Sequence, residues 1–264
     1  MPESEIIATG GGNLADSLQY KPGLAGTTFA PGANRPVIRG LSGFRVGIQE
    51  NGLASGDVSA LSDDHKVPID PNAVSQIEVV RGPATLRYGS AAIGGVVNAI
   101  NDRIPEIIPP AGFRVETRGG ITSGNNGLDA SAMAEAGAGN FAVHVDTFKR
   151  TSDDYSIPGG KQLNTGENSE GYSLGGSYVF NKGYIGLAYT SFDSTYFIPG
   201  TEAAAAKNHI VLDQTKWTSK GEWRVNGQGR RRHPPLVRSD RLQAQRGGFP
   251  TSCEGRLDVP EYAV

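Results

Sequence analysis

The segment Asp57-Val58-Ser59-Ala60-Leu61-Ser62-Asp63-Asp64-His65 holds three carboxylates and an imidazole in one short stretch. Carboxylate oxygen and imidazole nitrogen are both donors that Zn²⁺ accepts. On a strand, neighbouring side chains point apart; on a loop, Asp64 and His65 can converge. The residues leave two readings open. In one, Asp57 and Asp63 add negative charge that draws a cation toward Asp64 and His65. In the other, this is a solvated acidic loop with an ordinary surface histidine. Two further histidines read as incidental: His144 on the polar side of a strand and His209 in a long connection. A second charged set, Arg39, Arg81 and Arg87 with Glu78, could form buried ion pairs. Catalysis finds no support, so no enzyme is expected. Gly10-Gly11-Gly12 lacks the preceding strand and following lysine of a phosphate loop. No nucleophile, histidine and acid stand at a recognisable spacing. Cys253 is the only cysteine, which excludes an internal disulfide. A net charge of −2 carries no global bias toward nucleic acid.

The elements that must position these residues fall into two parts. From 113 to 226, six runs alternate apolar with polar residues. Phe113–Ile121 sets Phe113 and Val115 against Arg114 and Glu116. Leu128–Ala136 sets alanines against Asp129, Ser131 and Glu135. Phe141, Val143 and Val145 oppose His144 and Asp146. Tyr172–Phe180 sets Tyr172, Leu174 and Tyr178 against Ser173 and Ser177. Tyr184–Phe192 alternates less cleanly, and Trp217, Trp223 and Val225 oppose Thr218, Lys220 and Glu222. Period two is a strand signal. Six such runs of about ten residues match an outer-membrane barrel. Short links at 138–140 and Asn181-Lys182-Gly183 contrast with long polar connections at 151–170 and 194–215, as short inner turns contrast with longer outer loops. The alternative is a soluble antiparallel sheet with one face on a core. An apolar content of 37% with 37 glycines suits a wall with one wet face. No run of about 18 apolar residues predicts a membrane helix. No signal peptide is visible at Met1–Gly12. An exported barrel needs one, so either the chain lacks its true beginning or the barrel reading fails.

Residues 1–105 read as a small α+β unit. It has a short helix at Asn13–Tyr20 stopped by Pro22-Gly23, and short strands at Val37–Arg39, Arg45–Glu50, Ile77–Arg81 and Val96–Ile100. A proline-rich link spans 106–112, and the six barrel strands span 113–229. From 230 to 264 the pattern stops, which predicts an irregular tail. Read one base later from Arg231, suitable codons give a strand-like aromatic stretch. A shifted reading frame from about Gly229 is therefore expected, and the gene's nucleotide sequence decides it.

Three segments carry a family resemblance. Asn13-Leu14-Ala15-Asp16-Ser17-Leu18 with Lys21-Pro22-Gly23 is one. Arg35-Pro36-Val37-Ile38-Arg39-Gly40 is the second. The longest is Ile77-Glu78-Val79-Val80-Arg81-Gly82-Pro83-Ala84-Thr85-Leu86-Arg87-Tyr88-Gly89-Ser90, continuing through Gly94-Gly95-Val96-Val97-Asn98. In this order, they resemble the plug domain of TonB-dependent outer-membrane receptors, over about residues 5 to 228. Here Arg39, Gly40, Glu78, Arg81, Gly82, Pro83, Arg87, Gly89, Gly94 and Gly95 read as fold-holding plug residues, the arginines and Glu78 pairing plug to barrel wall. The resemblance implies an α+β plug followed by an incomplete antiparallel transmembrane β-barrel of about six strands. It also implies location in the cell outer membrane, and energy-coupled uptake driven by a TonB-type partner. The loop 57–65 resembles that of the zinc-uptake branch, which implies Asp64 and His65 as metal ligands. Zinc is then the first-choice cargo, carried as transported ligand rather than required cofactor, with a siderophore or haem next. A soluble plug-like binding module without transport is the alternative function.

Overall fold

The computed structural model describes residues 1–10, 12–56, 58–88, 92–224 and 237–247. Two helices open the chain, α1 (Glu3–Thr9) and α2 (Leu14–Leu18). The Asn13 side chain caps α2 by accepting from the Asp16 N–H at 3.0 Å. Six short strands follow: β1 (Leu24–Gly26), β2 (Pro36–Ile38), β3 (Val46–Glu50), β4 (Leu53–Ala54), β5 (Gln76–Val80) and β6 (Gly95–Ile100). β1 and β2 form a hairpin. The others form a mixed sheet in the order β4-β3-β6-β5, with β3 and β6 parallel. Leu14, Leu18, Ile38, Ile48, Val67, Ile69, Val74, Ile77 and Val97 fill one core between this sheet and the helices. Each such side chain contributes about 1.5–3 kcal/mol by leaving water. α1 carries no side-chain cap and few signals of its own, and is held by Ile6 in this core.

The second part is one antiparallel sheet. Its strands are β7 (Phe113–Thr122), β8 (Gly127–Ala138) and β9 (Phe141–Ser152), then the small hairpin β10 (Ser156–Ile157) and β11 (Gly160–Lys161), then β12 (Glu167–Phe180) and β13 (Gly183–Phe197). A short helix α3 (Thr201–Ala205) precedes β14 (His209–Trp223), and β15 (Val237–Gly247) follows. Among the described residues, β10 and β11 pair with each other alone, and the rest run in the order β15-β14-β13-β12-β9-β8-β7. The sheet is open: β7 and β15 stand at its two ends.

Two sequence expectations change here. The connection expected at 194–215 shrinks, because β13 continues to Phe197 and β14 begins at His209. At this end the wall meets an apolar part of the plug, so Phe192, Tyr196, Ile210 and Leu212 turn inward onto Ala30 and Ala33. Inward apolar residues erase the alternation, which also explains the uneven pattern of β13. Secondly, β15 runs within the stretch expected to be irregular. It pairs with β14 from Val237↔Ser219 to Gly247↔His209. Backbone groups on an open strand edge pair without any side-chain pattern. Residues 230–236 and 248–264 lie outside the described residues, and the reading-frame expectation is untouched.

The face of the wall decides its surroundings. Outward residues are large and apolar: Val143 is 52% exposed, Leu174 61% and Trp223 55%, with Val145, Tyr172, Ile185, Leu187 and Trp217 beside them. Inward residues are polar and buried: His144, Asp146, Arg150, Glu167, Ser169, Ser173, Ser177, Gln214 and Lys216. A water-soluble sheet reverses this. Aromatic side chains stack across strands at both ends of the outward band. Phe141 meets Tyr178 and Phe180 meets Trp223 at one end, and Tyr189 lies between Tyr172 and Trp217 at the other. Such girdles mark membrane interfaces. Among the described residues, no helix is long and apolar enough to cross a membrane.

Candidate functional site

The inward face of the wall grips the α+β unit through buried charge. Arg150 on β9 donates to Asp129 on β8 at 2.6 Å, to Asp70 at 3.0 Å and to the Gly12 carbonyl. Burial pushes the Asp70 carboxyl above its ordinary range, with Arg150 opposing. Arg103, just after β6 at the end of the α+β unit, donates to Asp146 at 3.1 Å and to Glu50 at 2.9 Å. Lys216 on β14 reaches the same Glu50. His144 completes this belt, its Nδ1 3.0 Å from Glu135 and its Nε2 3.1 Å from Asp146. A wall carboxylate thus faces each ring nitrogen of His144, a structural role the sequence reading did not give it. The end of the α+β unit lies against the wall at Gly175, where an added Cβ would come within 1.7 Å of the Arg103 carbonyl.

The ion pairs expected of Arg39, Arg81 and Arg87 with Glu78 are not those that bind plug to wall. All four side chains are exposed in this chain. Glu78 accepts from Gln76 at 3.2 Å and from Asn98 at 3.3 Å, while Arg81 donates to the Pro22 carbonyl at 3.3 Å. These residues lie on parts of the α+β unit that the seven strands do not cover. Gly40 and Gly82 occupy left-handed turns, and Pro83 lies in the 3-10 helix Gly82–Tyr88. At Gly94 a Cβ would stand 2.9 Å from Leu41, and at Gly95 it would stand 2.5 Å from Ile38, so the turn into β6 packs through bare backbone. Gly89 lies outside the described residues.

The acidic loop docks on the outer end of the wall, where the longer connections leave the strands. Asp64 is buried, His65 half-buried and Asp63 exposed; Asp57 lies outside the described residues. The Tyr196 hydroxyl donates to the Asp64 carbonyl at 3.1 Å and accepts from the Lys66 N–H at 3.0 Å. The Lys66 ammonium is fully buried on Glu167, with the Ser169 hydroxyl at 3.0 Å. Burial holds this ammonium below its ordinary range, with Glu167 acting against that shift. The His65 Nδ1 is buried without a hydrogen-bond partner. Among the described residues no three His, Cys, Asp or Glu side chains converge in a metal-holding group. Sequence reasoning missed Lys66, Glu167 and Tyr196. A lysine next to an acidic loop reads as solvated, and only the fold brings it to a glutamate about a hundred residues away.

A family model described as "TonB-dependent Receptor Plug Domain" matches residues 1–96. Residues 1–96 are thus similar to the plug of a TonB-dependent receptor. The plug and the strands after it are homologous to TonB-dependent receptors. A hemin receptor of Yersinia pestis is 34% identical over 137 residues, covering 50% of this chain and 19% of that protein. A ferrioxamine receptor of Yersinia enterocolitica is 31% identical over 142 residues, covering 52% of this chain and 19% of that protein. The chain thus spans about a fifth of the length of these relatives. Among solved structures, the copper transporter OprC superposes with a TM-score of 0.68 at 19% identity, over 87% of this chain and 34% of that one. The siderophore receptor PirA from Pseudomonas aeruginosa gives 0.68 at 17% identity, over 93% and 40%. These likenesses establish the fold: a plug followed by antiparallel strands of a receptor barrel that does not close. The homologues are outer-membrane receptors and transporters, not enzymes.

Proposed function

We propose that this chain is the plug and first wall strands of an outer-membrane receptor for energy-coupled uptake of a metal ion or metal complex. The observation that carries the reading is the inverted wall: apolar side chains outward, buried charge inward on the plug. Lipid is then the outer partner of β7–β14, and a TonB-type energy-coupling protein is the partner that acts on the plug. No nucleic-acid partner fits. The soluble-module alternative is not favoured, because it would leave Val143, Leu174 and Trp223 in water. The cargo class follows the relatives' printed ligands, hemin, ferrioxamine and ferric enterobactin. The zinc-uptake branch finds no support in these relatives, so zinc as transported ligand rests on Asp64 and His65 alone. No resident cofactor is proposed.

Both tryptophans of the chain, Trp217 and Trp223, lie on the outward face. Refolded into vesicles of brominated lipid, the protein should lose most of its tryptophan fluorescence to quenching. Unquenched emission from a monomer that is soluble without detergent would sink the reading. The metal assignment has its own check: zinc titration of the detergent-refolded chain against His65→Ala. Equal affinity in the two proteins removes Asp64 and His65 from the cargo site.

A further inference from the structure

We infer that Tyr196 is a positioning residue: it straddles the cargo loop and fixes His65 to the barrel wall. The inference deepens the uptake reading above and rests on it. Tyr196 is fully buried near the outer end of β13. One hydroxyl serves two backbone groups, donating to the Asp64 carbonyl at 3.1 Å and accepting the Lys66 N–H at 3.0 Å. Those two residues flank His65 on either side, so the peptide carrying the imidazole hangs between two fixed points. The second point is fixed twice. The Lys66 side chain ends on Glu167 and Ser169 of β12, and Ser169 in turn lies 2.7 Å from Ser194 of β13. The loop is thus tied to two adjacent wall strands through one hydroxyl and one buried ion pair.

The Tyr196 hydroxyl both donates and accepts here. Removing it strands a buried carbonyl and a buried N–H. The imidazole itself keeps a buried nitrogen without a partner. Nothing but the backbone on either side holds that ring in place among the described hydrogen bonds. The clamp sets where this donor stands for a metal or a metal-bound group.

The test uses the full chain refolded in detergent micelles, with Tyr196→Phe against wild type. The ring stays, so packing on Phe192 and Ile210 is kept. Phe148→Leu, which loosens the same apolar cluster away from the loop, is the control for mere destabilisation. Two readouts are taken: exchange of the Lys66 amide hydrogen, and zinc affinity by titration. Tyr196→Phe should speed Lys66 exchange and weaken zinc binding, each on the order of tenfold, and Phe148→Leu should do neither. Unchanged Lys66 protection in Tyr196→Phe would overturn the clamp. Faster exchange with unchanged zinc affinity would overturn the positioning role. Faster exchange in a protein whose wild type binds no zinc would uphold the clamp and sink the zinc reading instead.

Discussion

Lys66 shows how a single residue is decided by its distant neighbours. In sequence it follows an acidic loop; in the fold its ammonium is sealed against Glu167. Breaking a buried pair from one side costs about 3–5 kcal/mol, because the other charge is stranded, whereas replacing both partners by neutral groups costs far less. Lys66→Met should therefore destabilise the docked plug strongly, and Lys66→Met with Glu167→Gln should recover most of the loss, read from urea midpoints in detergent. Lys66 also gives pH dependence a sign. Its folded value is depressed, mainly by burial, so the folded protein sheds this proton before the unfolded chain does. Stability should rise as pH climbs from that depressed value toward the ordinary lysine value of 10.5, and the double variant should lack this gain. Asp64 and His65 were legible as donor types, and Arg39, Arg81 and Glu78 as charges. Which charges meet was not, because pairing across more than a hundred residues leaves no local mark.

At the scale of the strand, one residue of register exchanges lipid for plug. Leu174 faces outward and Ser173 inward on the same strand, β12. Leu174→Arg should cost about 2–4 kcal/mol of stability in vesicles, the depth-dependent penalty for a basic side chain on a lipid face. In a water-soluble sheet, an exposed position such as this would take arginine at almost no cost, so equal urea midpoints for wild type and variant would contradict the membrane assignment. Alternation made β7, β8, β9 and β12 readable from sequence. It failed on the outer ends of β13 and β14, where Tyr196, Ile210 and Leu212 meet an apolar plug surface rather than a polar one. It had nothing to say of β15, which is placed by the edge of β14.

At the scale of the molecule, the sheet has two ends that do not meet. Unpaired backbone groups in lipid cost several kcal/mol each. The chain alone should therefore carry no haem, ferric chelate or zinc across a vesicle membrane, measured as cargo trapped inside against empty vesicles. Flux above background would show that seven strands and a plug suffice.

By itself, the sequence determined the two-part organisation and the family motifs, because turn glycines, prolines and two-residue periodicity are local properties of the chain. It also determined that apolar and polar side chains part to opposite sides of the later strands. Only the tertiary structure decided which side meets the plug, and which buried charges hold the two parts together. It alone showed that Tyr196 grips the loop around His65. Those outcomes depend on distances between residues far apart in the chain, and such distances exist only once the backbone has closed on itself.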